Sequence, residues 1–150
     1  MSNYPPESAA ELKVRALRYL ARREHSRAEL ERKLAPHAPG AEELRALLDL
    51  LEVKKQLSNE RFAEQRAHVL ARKYGPARIR HDLKAKGIAP ELVDRVSSEG
   101  ELERARAILQ RKYRAPAATR EERARRARFL QGRGFSANVI HRLVLREGED

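Results

Sequence analysis

Apolar residues along this chain recur every three or four positions, the spacing that lines one face of an α-helix. Leu44, Leu47, Leu48 and Leu51 follow it, as do Ala63, Ala67, Leu70 and Tyr74, with Phe62 and Val69 beside them. Pairs four apart, Leu30/Leu34, Ile79/Leu83 and Ile140/Val144, mark three shorter helices. No stretch alternates β-branched and polar residues as a half-buried strand would. The chain is predicted to be all-α.

Starts and stops agree with that pattern. Ser26 to Glu29 and Thr119 to Glu122 read as capping boxes, the hydroxyl accepting from the N3 amide while the glutamate reaches back. Tyr74-Gly75-Pro76 reads as a helix end, a left-handed glycine stop and a proline opening the next helix. Gly87 and Gly134 look like further stop glycines, Pro90 a further opening proline and Ser136 an N-cap. Nine helices follow, over 8–23, 26–35, 41–55, 58–74, 76–86, 90–97, 101–114, 119–132 and 136–147. Residues 1–7, Glu149 and Asp150 are expected to fray.

A weak internal repeat groups these helices. Leu20-Ala21-Arg22-Arg23 recurs as Leu70-Ala71-Arg72-Lys73, each followed by a turn and a short helix. A third copy runs from Phe129 through Gly134-Phe135-Ser136 into Val139, Ile140, Leu143 and Val144. The reading is three tandem three-helix repeats, over 8–57, 58–100 and 101–150, after a disordered 1–7. Such arrays bury their core mainly between neighbouring units, so an elongated, curved shape is expected.

Charge changes the picture. Of 150 residues, 33 are Lys or Arg and 22 are Asp or Glu, a formal +11. The surplus is local: residues 104–146 hold twelve arginines and Lys112 against Glu121 and Glu122, and the remainder balances. A basic end on a neutral helical array points to an acidic partner, with nucleic acid first in line. Arginine outnumbers lysine 25 to 8, and its planar fork suits phosphate or carboxylate.

Candidate chemistry is sparse. There is no cysteine, so disulfides and thiolate sites are excluded. His25, His37, His68, His81 and His141 lack metal-ligand spacing and read as helix-surface or turn residues. No phosphate-binding glycine loop or nucleophile elbow occurs, and Gly132-Arg133-Gly134-Phe135 follows a helix, as a cap does. Carboxylates one turn from a base, such as Glu29 beside Lys33, read as surface pairs. The protein is read as no enzyme, with no cofactor and no metal. No apolar run approaches the roughly 18 residues of a membrane span, and the start lacks a secretory signal, so a cytoplasmic protein is expected.

Three basic constellations remain: Arg78 to Lys86 with Arg72 and Lys73 nearby; Arg120, Arg123, Arg125, Arg126 and Arg128; and Arg104, Arg106, Arg111, Lys112 and Arg114. In the first, Ile79 and Leu83 face inward while Arg80 and Lys84 point outward. In the second, the arginines surround the helix and leave only Ala124, Ala127 and Leu130 as an apolar strip.

Four motifs then coincide in order. Leu57-Ser58-Asn59-Glu60-Arg61-Phe62-Ala63-Glu64 resembles a signature of the RecX family, regulators of the bacterial recombinase RecA. Tyr74-Gly75-Pro76-Ala77-Arg78-Ile79-Arg80 with Leu83 and Lys86-Gly87-Ile88 is similar to a second one. Arg22 to Leu30 with Lys33-Leu34, and Phe129-Leu130 through Arg133-Gly134-Phe135 to Ile140, match the N- and C-terminal motifs. The family usually carries a glycine and an aromatic where Lys55-Gln56 stand, and often a glycine at Lys73, so the turn near 55 is expected to differ.

The resemblance implies three tandem three-helix repeats and a monomer that binds the RecA nucleoprotein filament in its groove. It implies lowered ATPase, strand-exchange and coprotease activities of RecA, and roles in DNA repair, homologous recombination and the SOS response. The expected RecA/DNA interaction surface is Arg72, Lys73, Arg78, Arg80, Lys84, Lys86, Arg120, Arg123, Arg125, Arg126 and Arg128, with possible direct contact to DNA phosphates. The alternative is a direct DNA-binding helical protein using a short helix such as 76–86 for recognition. Against it, no base-reading set of Asn or Gln stands on the short helices. A helical hydrolase would need an acid–base site that is not found.

Overall fold

A computed structural model describes residues 4–145. Among them lie nine α-helices and no strand: α1 (Ala9–Arg22), α2 (Arg27–Leu34), α3 (Ala41–Val53), α4 (Asn59–Leu70), α5 (Pro76–Ala85), α6 (Pro90–Val93), α7 (Glu101–Lys112), α8 (Arg120–Gly132) and α9 (Ala137–Ile140). A 3₁₀ turn, Ala35–His37, extends α2, and a π-helical segment, His141–Leu145, follows α9. The chain forms two compact units, one of residues up to Gln65 plus Lys84–Leu92, the other of Arg66–Leu83 plus Val93 onward. The stretch 84–92 joins the first because Ser26, on entering α2, donates its hydroxyl to the Lys86 carbonyl at 3.0 Å.

The first unit is built on leucines. Leu12, Leu30, Leu34, Leu44, Leu47, Leu48, Leu51 and Leu57 pack with Ala16 into one core. Each fully buried leucine contributes about 1.5–3 kcal/mol. Ser8, not read as a cap from sequence, makes a complete capping box with Glu11 at the start of α1. Of the expected frayed stretch 1–7, residues 1–3 lie outside the described residues, as do Glu149 and Asp150. Glu7 is tied down by Arg15 and by its own amide, which donates to the His37 carbonyl.

The α3 stop explains the family glycine missing at position 55. The amide of Lys55 donates to Glu52 and that of Gln56 to Leu51, both at 2.9 Å, the paired bonds of a Schellman motif. Lys55 occupies the left-handed position with φ 61°. The turn keeps the geometry a glycine would take, and the lysine carries the strain.

The second unit has a smaller, β-branched core of Ala105, Ile108, Leu130, Phe135, Val139, Ile140, Leu143 and Val144. Two corrections concern its turns. Gly75 is not a left-handed stop, since the positive-φ glycines are Gly87, Gly100 and Gly134. It is glycine because two turns meet there. Its amide donates to the Arg133 carbonyl at 2.7 Å, and the Ala77 amide to Gly134 at 3.2 Å. A Cβ on Gly75 would stand 2.5 Å from the Gly134 oxygen. The helix expected over 90–97 stops at Val93, because the Val96 carbonyl accepts from Arg80 at 3.2 Å and Ser97 caps the Glu99 amide.

Candidate functional site

The basic segment is built around α8. Thr119 accepts from the Glu122 amide at 3.1 Å, and Glu122 reaches back to the Ala118 amide at 2.7 Å, one residue before the position a capping box would use. The helix presents one fully buried residue, Leu130, with Ala127 and Phe129 partly covered. So thin a strip packs weakly by itself. Cations laid on aromatic rings add to it.

These contacts form a ladder. Arg126 lies 4.5 Å from the centre of the Tyr113 ring, and Tyr113 meets Phe129 edge-on at 6.0 Å. Lys112 stands 4.2 Å over Phe129, and Arg133 covers both Phe129 and Tyr74, at 5.1 and 5.4 Å. Arg78 closes the series 4.9 Å over Tyr74. Each such contact is worth about 0.5–1 kcal/mol where exposed. Carbonyls fix the same guanidinium groups: Arg126 donates to Ala115 at 2.8 Å, Arg78 to Gly132 at 3.2 Å and Arg133 to Lys73 at 3.3 Å. The glycine junction makes this possible, since it brings the 74–77 turn to the 132–135 turn.

Among the described residues, none of these bases is paired with a carboxylate. The second unit's Arg66 pairs with Asp82 at 2.9 Å, away from these bases. The ladder is a fixed array of positive charge with no carboxylate partner among the described residues, which is what a polyanion site requires.

The expected surface residues fall into three groups. Arg120, Arg125, Arg128, Arg72, Lys73 and Lys84 are exposed, and Arg123 and Lys86 half-buried. Arg78 and Arg126 belong to the ladder. Arg80, expected to point outward, is half-buried and holds the Val96 carbonyl, because Ile79 and Leu83 turn α5 so that the guanidinium falls across that loop. Tyr74, Tyr113, Phe129 and Arg133 went unread as site residues. The available signal was the interleaving of aromatic and basic residues at 73–78, 111–114 and 126–133.

The first unit corrects two further expectations. His25 is buried, 1% exposed, not a surface residue, because it lies under Tyr19 at the entry to α2. Its Nδ1 faces the Arg23 carbonyl at 3.1 Å and its Nε2 faces Lys33 Nζ at 2.9 Å, so the neutral ring donates at one nitrogen and accepts at the other. Burial lowers its pKa below the usual histidine value. Glu29 pairs with Arg23, at 2.7 and 2.9 Å, not with Lys33. Those hydrogen bonds lower its pKa to about 2.

The described residues contain no group of carboxylates and histidines able to hold a metal ion, and no helix long and apolar enough to cross a membrane. The class so defined is an all-helical tandem-repeat protein with an uncompensated arginine surface. The chain belongs to the RecX family. Its residues 13–38, 58–96 and 99–144 match the models of the first, second and third three-helix domains of RecX. It is 46% identical to a protein named regulatory protein RecX from Ralstonia nicotianae, over 93% of this chain and 89% of that one. A protein of that name from Herbaspirillum seropedicae is 48% identical over 90% of each chain, and one from Thermus thermophilus 42% identical over 89% and 92%. The fold is similar to the crystal structure of RecX from Lactobacillus salivarius, with a TM-score of 0.79 over 93% of this chain and 95% of that one at 20% identity.

Proposed function

We propose that this chain is a non-enzymatic, monomeric cytoplasmic modulator that binds the RecA–DNA filament and lowers RecA's ATPase, strand-exchange and coprotease activities. The name its relatives carry supports regulation, and one observation carries the mode of binding. Arg126 of α8, with Arg78 and Arg133, is held by rings and carbonyls and has no carboxylate partner among the described residues, and Arg120, Arg125 and Arg128 of α8 are exposed beside them in the sequence. An acidic filament would supply the missing counter-charge, through phosphates or carboxylates, in charge-assisted and salt-sensitive contacts. The interaction surface in this reading is Arg120, Arg123, Arg125, Arg126 and Arg128, with Arg72, Lys73, Arg78, Lys84 and Lys86. Arg80 contributes by holding the loop after α6.

The test is RecA's DNA-dependent ATPase with substoichiometric protein added. Inhibition is expected, and charge reversal of Arg125, Arg126 and Arg128 to Glu abolishes most of it; no inhibition at any ratio would overturn the reading. Direct DNA binding is the second reading, favoured by the ladder, whose pre-ordered guanidinium groups suit phosphate oxygens. Tight, sequence-selective binding in a mobility shift without RecA would favour it.

A further inference from the structure

Away from the ladder, α7 and the C-terminal turn of α4 leave an open groove of about 870 Å³ within the second unit. Arg104, Ala107, Ile108 and Arg111 face it from α7 at i, i+3, i+4 and i+7, and Ala71 and Arg72 face it from the end of α4. The groove therefore runs along one helix face, with a floor of small and branched apolar groups and arginines at its edges. No carboxylate lines it. Arg104 is anchored through Nη1 to the Glu99 carbonyl at 2.7 Å, and its buried Nε–H has no partner among the described residues. Arg111 is held through Nη2 to the Arg72 carbonyl at 3.0 Å.

We propose that this groove is a docking site for an acidic amphipathic helix of a partner protein. Its apolar side would lie on Ala71, Ala107 and Ile108, and its carboxylates would meet the forks of Arg72, Arg104 and Arg111. The i, i+3, i+4, i+7 register of α7 is the one with which a second helix interdigitates. Arginine forks donate to carboxylates in bidentate geometry, and the groove supplies them without a competing acid. Nucleic acid fits this place less well than it fits the ladder. Single-strand sites combine a basic track with aromatic stacking platforms, and the groove has no Phe, Tyr or Trp, its one ring being the His68 imidazole. The inference goes beyond the proposed function: it shares only Arg72 with that surface, it concerns a different ligand class, and it holds whether or not α8 contacts a filament.

The experiment uses the full chain and a fluorescein-labelled sixteen-residue Glu/Leu/Ala peptide with leucines at helical spacing. A scrambled peptide of equal charge and a single-stranded oligonucleotide serve as comparators, all read by fluorescence anisotropy. Arg111→Glu is expected to weaken the amphipathic peptide by about tenfold or more, as loss of a charge-assisted pair does, and to weaken the oligonucleotide by less. Ala107→Gln fills the floor at an exposed helical position without changing charge, so helicity by circular dichroism stays the same while peptide affinity falls. Arg125→Glu with Arg128→Glu has the reverse preference, weakening the oligonucleotide more than the peptide. Equal binding of the scrambled peptide would overturn the proposal, as would unchanged peptide affinity in Arg111→Glu and Ala107→Gln, or an oligonucleotide loss in Arg111→Glu as large as the peptide's. None of these outcomes bears on RecA inhibition, so the two readings fail separately.

Discussion

The two units use arginine in opposite ways. In the first, Arg15 pairs with Glu7, Arg23 with Glu29, Arg61 with Glu24, and Arg27 with both Asp49 and Glu52. In the second, beside the Arg66–Asp82 pair, Arg78, Arg126 and Arg133 lie on Tyr74, Tyr113 and Phe129, and Arg80, Arg104 and Arg111 hold carbonyls. A carboxylate cancels the charge it binds; a ring or carbonyl orients the charge and leaves it uncancelled. The same side chain is thus an internal staple in one unit and an outward positive field in the other. That difference, and not the number of arginines, locates the surface an anionic partner would meet.

The most severe way to break the second arrangement is to separate its turns. Gly134 has φ +91°, and a Cβ there would stand 2.5 Å from the Arg78 backbone nitrogen. Gly134→Ala is expected to cost about 3 kcal/mol or more in urea unfolding, by strain and backbone displacement together. It should also loosen Arg78 and Arg133 from Tyr74. An unchanged midpoint would mean that the glycine junction does not organise the ladder.

A milder comparison sets one arginine from each unit side by side. Arg27→Ala removes contacts of 2.7 and 2.8 Å to Asp49 and Glu52, which solvent screening limits to about 1 kcal/mol of stability. Arg125→Ala removes an exposed side chain with no ion pair among the described residues and should change stability by less than about 0.5 kcal/mol while reducing the salt dependence of polyanion binding. If both variants lose the same stability, the division between staple and field is wrong.

Acidification sharpens the contrast from the other side. Burial depresses the His25 pKa, so its neutral form is favoured in the folded state. That stabilisation is present above the unfolded histidine value of about 6.5 and is lost as pH falls below it, where the ring would have to charge beside Lys33. His25→Gln should unfold with a melting temperature less sensitive to pH between 7 and 5 than the parent's. Parallel profiles would show that His25 contributes nothing to acid sensitivity. The Glu29 contribution runs at lower pH: it is present above about 4.5 and fades as pH drops toward about 2.

The smallest effect has the opposite sign. Lys55 sits at φ 61° in a turn that glycine enters without strain. Lys55→Gly should stabilise the chain by about 0.5–1 kcal/mol, seen as a higher urea midpoint. A loss of stability would show that the lysine side chain makes up for its backbone.

Legibility follows the range of the interaction. The nine helices could be read because periodicity and caps act over three or four residues, and Ser26, Thr119 and Ser136 cap as their neighbours predict. Half of each expected box still failed. Glu29 is taken by Arg23, and Glu122 reaches the Ala118 amide, not that of Thr119. Glycine was legible at 87 and 134, where the conformation is local, and misread at 75, where the reason is a turn nearly sixty residues distant.

The sequence by itself determined an all-helical chain in three repeats, a surplus charge confined to its last third, and motifs that resemble one family. Tertiary structure decided which arginines are spent internally and which remain uncancelled. It also set Gly75 against Gly134, buried His25 and opened the groove beside α7. The physical reason is that helix formation depends on neighbours along the chain, whereas the partner of a charge depends on what packing brings within 3 or 4 Å. Arg61 and Arg126 look alike in a list of residues; one meets Glu24 and the other a tyrosine ring.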